Sequence, residues 1–342
     1  MANNNGVGIT DETIKWAYRL FLGREVEDQN VIDFWLNHFS DIEHLKKEFA
    51  NADEFIQHYS IKKTSMVGNE PSLDIELVNN VEPLMKHINN VWHHLGQSEP
   101  YWSVITESKY LSSTIAQTQD DFFESGQESV DLLIKTFERN NIDSSKYRSC
   151  LEFGCGLGRI TFWLAKKFEI IFGYDISKPH LDIAQQYLDL ERVKNVTLCH
   201  INKLDDMLKF PKVDLVYTIL VLQHNPPPLI KIIVESLLKS LNPGGIAYFQ
   251  VLTYRKGYQF NLNDYMQHEA KKQEMELHVL PQHIIFDIVD KNNCKVIEVL
   301  EDNLSGLYGS GDRSNTFIVQ KKPEFFLKLY FNKIRTYTGS FR

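Results

Sequence analysis

The chain has 342 residues, of which 43% are hydrophobic, and a formal net charge of −8. That length allows one large domain with smaller additions, and the apolar content is ample for a core. The acid excess excludes general nucleic-acid binding, which needs clustered cations against phosphate. No apolar run reaches the roughly 20 residues of a membrane-spanning helix.

The start, Met1-Ala2-Asn3-Asn4-Asn5, has neither a charged n-region nor an apolar core, so no signal peptide is expected. Residues 10–66 read as a small helical domain. Thr10 or Asp11 caps a helix over Glu12–Leu22, with Ile14, Ala17, Leu20 and Phe21 at helical spacing, and Gly23 ends it. Tyr18-Arg19-Leu20-Phe21-Leu22-Gly23-Arg24, Phe34-Trp35 and Ala52-Asp53-Glu54-Phe55 resemble a small helical domain of unknown function that bacteria attach to surface-glycan enzymes and exported proteins. Glu27 and Asn30 depart from that family's Asp and Gly. The resemblance implies docking or spacing rather than chemistry.

Residues 67–145 read as a linker followed by a helical lid region. Lys63 to Asp74, with Gly68 and Pro71, is the linker. Helical patterns rich in aromatics follow, with Trp92, Tyr101, Trp102, Tyr110, Phe122 and Phe123. These rings either pack helices onto a sheet or, as a group, form a lid.

The central segment, 146–322, opens with Cys150-Leu151-Glu152-Phe153-Gly154-Cys155-Gly156-Leu157-Gly158-Arg159. Glycines at every second position let the backbone turn sharply and approach a ligand. A dinucleotide fingerprint, G-x-G-x-x-G, would place its last glycine at Arg159, which is too large, so nicotinamide and flavin dinucleotides are excluded. Glu169 to Tyr174 reads as a buried strand ending in Asp175, and a strand-end carboxylate can accept from both hydroxyls of a ribose. Val213 to His224 reads as a further strand and its exit, Asn225-Pro226-Pro227-Pro228 as a helix start, and Asn242-Pro243-Gly244-Gly245 as a turn into the strand Ile246–Val251.

In that order, these four motifs resemble the class I S-adenosylmethionine-dependent methyltransferases, over residues 147–321. The resemblance implies an α/β fold, a Rossmann-like doubly wound seven-stranded sheet with its last strand antiparallel, behind an N-terminal helical extension. Strands are expected near 148–153, 169–174, 195–200, 213–219, 246–252, 294–300 and 315–320, with a glycine-rich hairpin over Gly306–Ser314. It implies S-adenosyl-L-methionine as cofactor, held by Glu152, Gly154, Gly156, Gly158, Asp175, Asn202 and Ile219. Asn202 reads equally as a turn residue.

A hydroxyl acceptor needs proton removal as well as positioning. His224, at the exit of the fourth strand, is the candidate catalytic base; its other reading is a helix-start element bonding backbone. Tyr254, Arg255 and Tyr258 stand where acceptor contacts are typical, and Arg255 suits an anionic group. His278 and His283 have no carboxylate or cysteine at ligand spacing, so no metal is expected and His278 is read as lining an acceptor pocket. The four cysteines, Cys150, Cys155, Cys199 and Cys294, form no C-x-x-C pair and read as reduced, which places the chain in the cytoplasm.

From Lys321 to Arg342, six cations stand against Glu324 alone. With Phe325, Phe326, Leu327, Leu329, Tyr330, Phe331 and Ile334 between them, residues 323–342 form a basic aromatic tail that either packs on protein or lies on an anionic membrane. The function expected is O-methylation of a sugar hydroxyl on a cell-surface glycan or its precursor. The alternatives are a small-molecule O- or N-methyltransferase and a non-catalytic scaffold that binds the cofactor. The sequence leaves the oligomeric state open.

Overall fold

A computed structural model describes residues 9–52, 71–73, 81–268, 272, 274–302, 304 and 312–323. The chain divides into two compact units, residues 1–68 with 307–311, and residues 69–306 with 312–342.

In the first unit, α1 (Asp11–Ala17) runs on as a π-helical turn over Tyr18–Leu22, followed by α2 (Gln29–His38) and α3 (Ile42–Asn51). Thr10 is the cap: its hydroxyl accepts from the Thr13 N–H, satisfying one of the free donors of the first turn. Ile14, Tyr18, Ile32, Leu45 and Phe49 form its core. Of the sequence segments that resemble the small helical domain, Asp53-Glu54-Phe55 lies outside the described residues.

The second unit begins with the pair Ser72–Leu73 and Gln259–Phe260, a short parallel ladder. The rest of the expected linker lies outside the described residues. Helices α4 (Glu82–Ser98), α5 (Pro100–Val104), α6 (Gln119–Glu124) and α7 (Gly126–Arg139) precede the sheet. Its strands are β1 (Ser149–Phe153), β2 (Ile170–Asp175), β3 (Val196–His200), β4 (Val213–Thr218), β5 (Leu241–Tyr254), β6 (Cys294–Glu301) and β7 (Arg313–Lys321). They lie in the order β3-β2-β1-β4-β5-β7-β6. The pairs among β1 to β5 are parallel, and β7 is antiparallel to both its neighbours. This is the Rossmann-like doubly wound sheet with an antiparallel last strand. The expected glycine-rich hairpin lies largely outside the described residues.

Side chains alternate between the two faces, as the strand repeat requires. Leu151, Val216, Phe249 and Phe317 join one core with Leu84 and Ile88 of α4 and the helix Pro227–Ser240. Cys150, Leu215, Tyr248 and Ile318 join the other, with Val130, Leu133 and Phe137 of α7.

One expectation is corrected. Asn242–Gly245 does not precede the fifth strand but bulges within it: Val213 pairs with Leu241, then Leu215 with Ile246. Pro243 has no N–H to give the ladder, and Asn242 Nδ2 instead donates to Asp214 Oδ1 at 2.8 Å.

Candidate active site

The sheet order reverses between β1 and β4, the place where open α/β sheets bind ligands. Beyond β1, Gly154, Gly156 and Gly158 take φ of 76°, 51° and 78°. An L side chain in this left-handed region costs about 1–2 kcal/mol. Gly154 and Cys155 both donate their N–H to the Tyr174 carbonyl, at 2.7 and 3.0 Å. The Gly156 N–H donates to Asp175 Oδ2 at 2.8 Å. The Ser177 N–H donates to Asp175 Oδ1 at 2.8 Å. Each carboxylate oxygen therefore holds one backbone donor and keeps a lone pair. A Cβ on Gly154 would stand 2.3 Å from Val221 Cγ2, and one on Gly156 would stand 3.3 Å from Val104 Cγ2. The exit of β4 and the end of α5 thus wall the loop.

Glu152 is buried and accepts from the Thr161 hydroxyl at 2.5 Å. Burial raises its pKa to about 8, against the pull of Thr161 and Arg159. Arg159 donates to Ser125 Oγ, while its buried Nε has no hydrogen-bond partner among the described residues.

At the β4 exit Leu220 sits at φ 60°, with its N–H on Gln250 Oε1 at 3.0 Å. Gln250 is buried and its amide also bonds Gln223 and Ser314. Ile219 is half-buried there. Asn202 is exposed, and its N–H goes to Asp206 Oδ2.

The helices before the sheet cover the β2 exit. The Ser177 hydroxyl reaches the Trp92 carbonyl at 2.9 Å and His180 Nδ1 at 2.6 Å. The Ser103 hydroxyl lies 2.9 Å from His180 Nε2. Gly96 permits this approach, since a Cβ there would meet both His180 and Ser177 at 2.7 Å. Among the aromatics, Tyr110, Phe122 and Phe123 are buried against Leu157 of the glycine loop.

A second cluster lies beyond the β4 exit. Glu276 accepts from His87 Nε2 at 2.7 Å, His278 Nε2 at 2.7 Å and the Tyr265 hydroxyl at 2.8 Å. Desolvation would raise its pKa, but the bonds from His278, His87 and Tyr265 prevail and hold it at about 2. The Tyr258 hydroxyl lies 2.7 Å from His278 Nδ1. Tyr258, Tyr265, Glu276 and His278 line a cleft of about 320 Å³ with Arg255, Phe260, Asn261, Asp264 and Glu274. His224 Nδ1 donates to the Glu276 carbonyl at 2.8 Å, and the His278 N–H donates to the Gln223 carbonyl at 2.7 Å. The cleft is thereby tied to the turn whose Val221 abuts Gly154.

His224 is buried, which lowers its pKa to about 4. Of its two expected roles, the contacts present serve the backbone tie. Arg255 faces Asp312 at 3.4 Å and bonds the Leu277 carbonyl. Tyr254 ends β5 opposite Arg313 and does not line the cleft. His278 has a carboxylate partner in Glu276, two residues earlier, a pairing the sequence reading did not weigh. His283 is exposed on the helix Gln282–Lys291. No cluster able to hold a metal occurs among the described residues. Sequence reasoning missed Glu276, His87 and Tyr265; the Glu-x-His spacing was the one local signal for the first.

The loop fits S-adenosylmethionine: Asp175 offers a lone pair on each oxygen to a ribose diol, and three left-handed glycines turn the backbone beside it. A family model described as a methyltransferase domain matches residues 151–247. Among solved structures, magnesium protoporphyrin IX methyltransferase from Synechocystis PCC 6803 with bound SAH is 16% identical, over 69% of this chain and 99% of that one, with a TM-score of 0.49. N-methyltransferase NodS from Bradyrhizobium japonicum WM9, in complex with S-adenosyl-L-homocysteine, is 16% identical over 68% of this chain and 98% of that one, with a TM-score of 0.43. An O-methyltransferase family protein from Burkholderia thailandensis is 13% identical over 70% and 72%, with a TM-score of 0.43. Likeness at this level says nothing of what this chain acts upon. No curated protein sequence matches it.

Proposed function

We propose that the chain is a cytoplasmic S-adenosylmethionine-dependent methyltransferase that O-methylates a sugar hydroxyl of a cell-surface glycan or its precursor. The observation that carries the cofactor is the Asp175 carboxylate, fixed by Gly156 and Ser177 beside three left-handed glycines. The cofactor supplies an electrophilic methyl on a sulfonium. The chain's part is to grip the ribose through Asp175, to keep water out with α4 and α5, and to orient a hydroxyl from the cleft. Preorganised positioning of this kind supplies much of the rate in a displacement.

The sugar rests on the cleft's chemistry and on the N-terminal resemblance. Rings of Tyr258, Phe260 and Tyr265 beside Asn261 and Asp264 offer apolar faces and paired polar groups, which suit a pyranose. A small-molecule amine is the second reading, favoured by Asp264 and Glu274 at the same cleft.

Calorimetric titration tests the cofactor. S-adenosylmethionine is expected to bind and NADH not to, with binding lost in Asp175→Ala; silence with both ligands would remove the methyltransferase reading. Deleting the gene is expected to remove a methyl ether from the surface polysaccharide. An unchanged sugar analysis would remove the glycan.

A further inference from the structure

We propose that the acceptor's hydroxyl proton leaves through Tyr258 to His278, with Glu276 holding the imidazolium that results. The inference rests on the methyltransferase reading above.

The hydrogen-bond directions in the cluster follow from its donors. A Glu276 carboxylate can only accept, so His87 and His278 both donate from Nε2, and Tyr265 donates its hydroxyl proton. A neutral His278 protonated at Nε2 has a bare Nδ1. The Tyr258 hydroxyl, 2.7 Å away, must then donate to it. The Val279 N–H also bonds Tyr258 Oη, which leaves its second lone pair for a donor from the cleft, which Tyr258 lines. An acceptor hydroxyl is such a donor.

The step balances without a further reactant. The acceptor oxygen bonds the methyl carbon as the carbon–sulfur bond breaks, and the sulfur keeps that electron pair. The acceptor's proton passes to Tyr258 Oη as the Tyr258 proton passes to His278 Nδ1. His278 ends as an imidazolium against Glu276, a half-buried carboxylate already ionised. The positive charge lost from sulfur thus reappears on His278, where a fixed anion offsets it.

Position favours this route. His278 and Glu276 are bonded to Gln223 and His224, and this turn includes Val221, the wall of the glycine loop. His224, with Nδ1 committed to the Glu276 carbonyl, positions the relay and stands outside it.

The test uses the full chain and an extract of cells from which its gene has been deleted, which contains the acceptor unmethylated whatever its identity. Wild-type protein with methyl-labelled S-adenosylmethionine is expected to label that extract. Tyr258→Phe keeps the ring and is expected to slow labelling by about 10²-fold or more, the usual share of a proton-transfer group. His278→Gln is expected to do the same, with cofactor binding by calorimetry unchanged in both. Nitrogen-15 spectra of the imidazoles supply a readout apart from turnover. His278 is expected protonated at Nε2 and bare at Nδ1, with the Nδ1 resonance moving in Tyr258→Phe. Equal labelling rates, or a His278 protonated at Nδ1 in the resting protein, would overturn the relay. An extract that the wild type leaves unlabelled while binding the cofactor overturns the parent reading, and the relay with it.

Discussion

Glu152 beside the glycine loop and Glu276 in the cleft are both withdrawn from solvent, yet their pKa values part, to about 8 and about 2. Burial pushes both upward, because the charged form loses its water. Glu152 has one hydroxyl, from Thr161, and the distant charge of Arg159 to set against that cost. Glu276 has two imidazole donors and a phenol within 2.8 Å. Glu152 is also the deeper of the two, so fewer donors and heavier burial act together to make it an acid, while three donors and a shallower seat leave Glu276 an anion. The loop region is thus held by geometry and a neutral glutamic acid, and the cleft by charge.

Substituting each glutamate by glutamine sharpens that contrast. The folded pKa of Glu152, about 8, lies above the ordinary 4.5, so the folded chain binds the extra proton between those values. Stability therefore falls as pH rises through that window, by about 5 kcal/mol in full. Glu152→Gln is expected to abolish the decline and to exceed the wild type in urea unfolding at alkaline pH. A decline that persists in the variant would place its cause elsewhere. Glu276 is the reverse case. Its folded pKa of about 2 lies below 4.5, so it stabilises by about 3 kcal/mol above pH 4.5, lost as pH falls toward 2. Glu276→Gln is expected to cost about that much at neutral pH and to flatten the acid limb. His224, neutral in the fold and lowered from 6.5 to about 4, gives a separate limb between those values that the variant retains. An unchanged midpoint in Glu276→Gln would show that the cluster's bonds are weak.

The two regions also differed in how far the sequence disclosed them. The loop is contiguous, Glu152 to Gly158 with Asp175 on the next strand, and its partners are backbone atoms that any sequence supplies once the strands pair. Its readable signal is glycine spacing. The cluster around Glu276 gathers His87 from α4, Tyr258 after β5, Tyr265 from the helix Leu262–Gln267 and Glu276 itself, ahead of the helix Gln282–Lys291. Those side chains are far apart in sequence and meet only in the tertiary fold, and the single pair close in sequence, Glu276 and His278, looks like ordinary loop polarity. The bulge at Asn242–Gly245 was hidden for a related reason: Pro243 and the glycines after it announce a turn, and only the pairing of Leu241 with Val213 places that turn inside a strand.

The smallest effect isolates the loop's geometry. Gly154→Ala confounds two costs, a left-handed backbone and a Cβ 2.3 Å from Val221 Cγ2. Gly156→Ala carries chiefly the first, since its nearest neighbour, Val104 Cγ2, is 3.3 Å away and needs to give only slightly. The expected loss is therefore about 1–2 kcal/mol in urea unfolding, the strain of a single L residue at positive φ. Cofactor affinity should fall by more than that strain implies. Relaxing toward negative φ would withdraw the Gly156 N–H from Asp175 Oδ2 and loosen the carboxylate proposed to hold the ribose. Equal losses in stability and affinity would mean that the loop relaxes without moving Asp175, and the carboxylate's clamp would then be attributed to Ser177 alone.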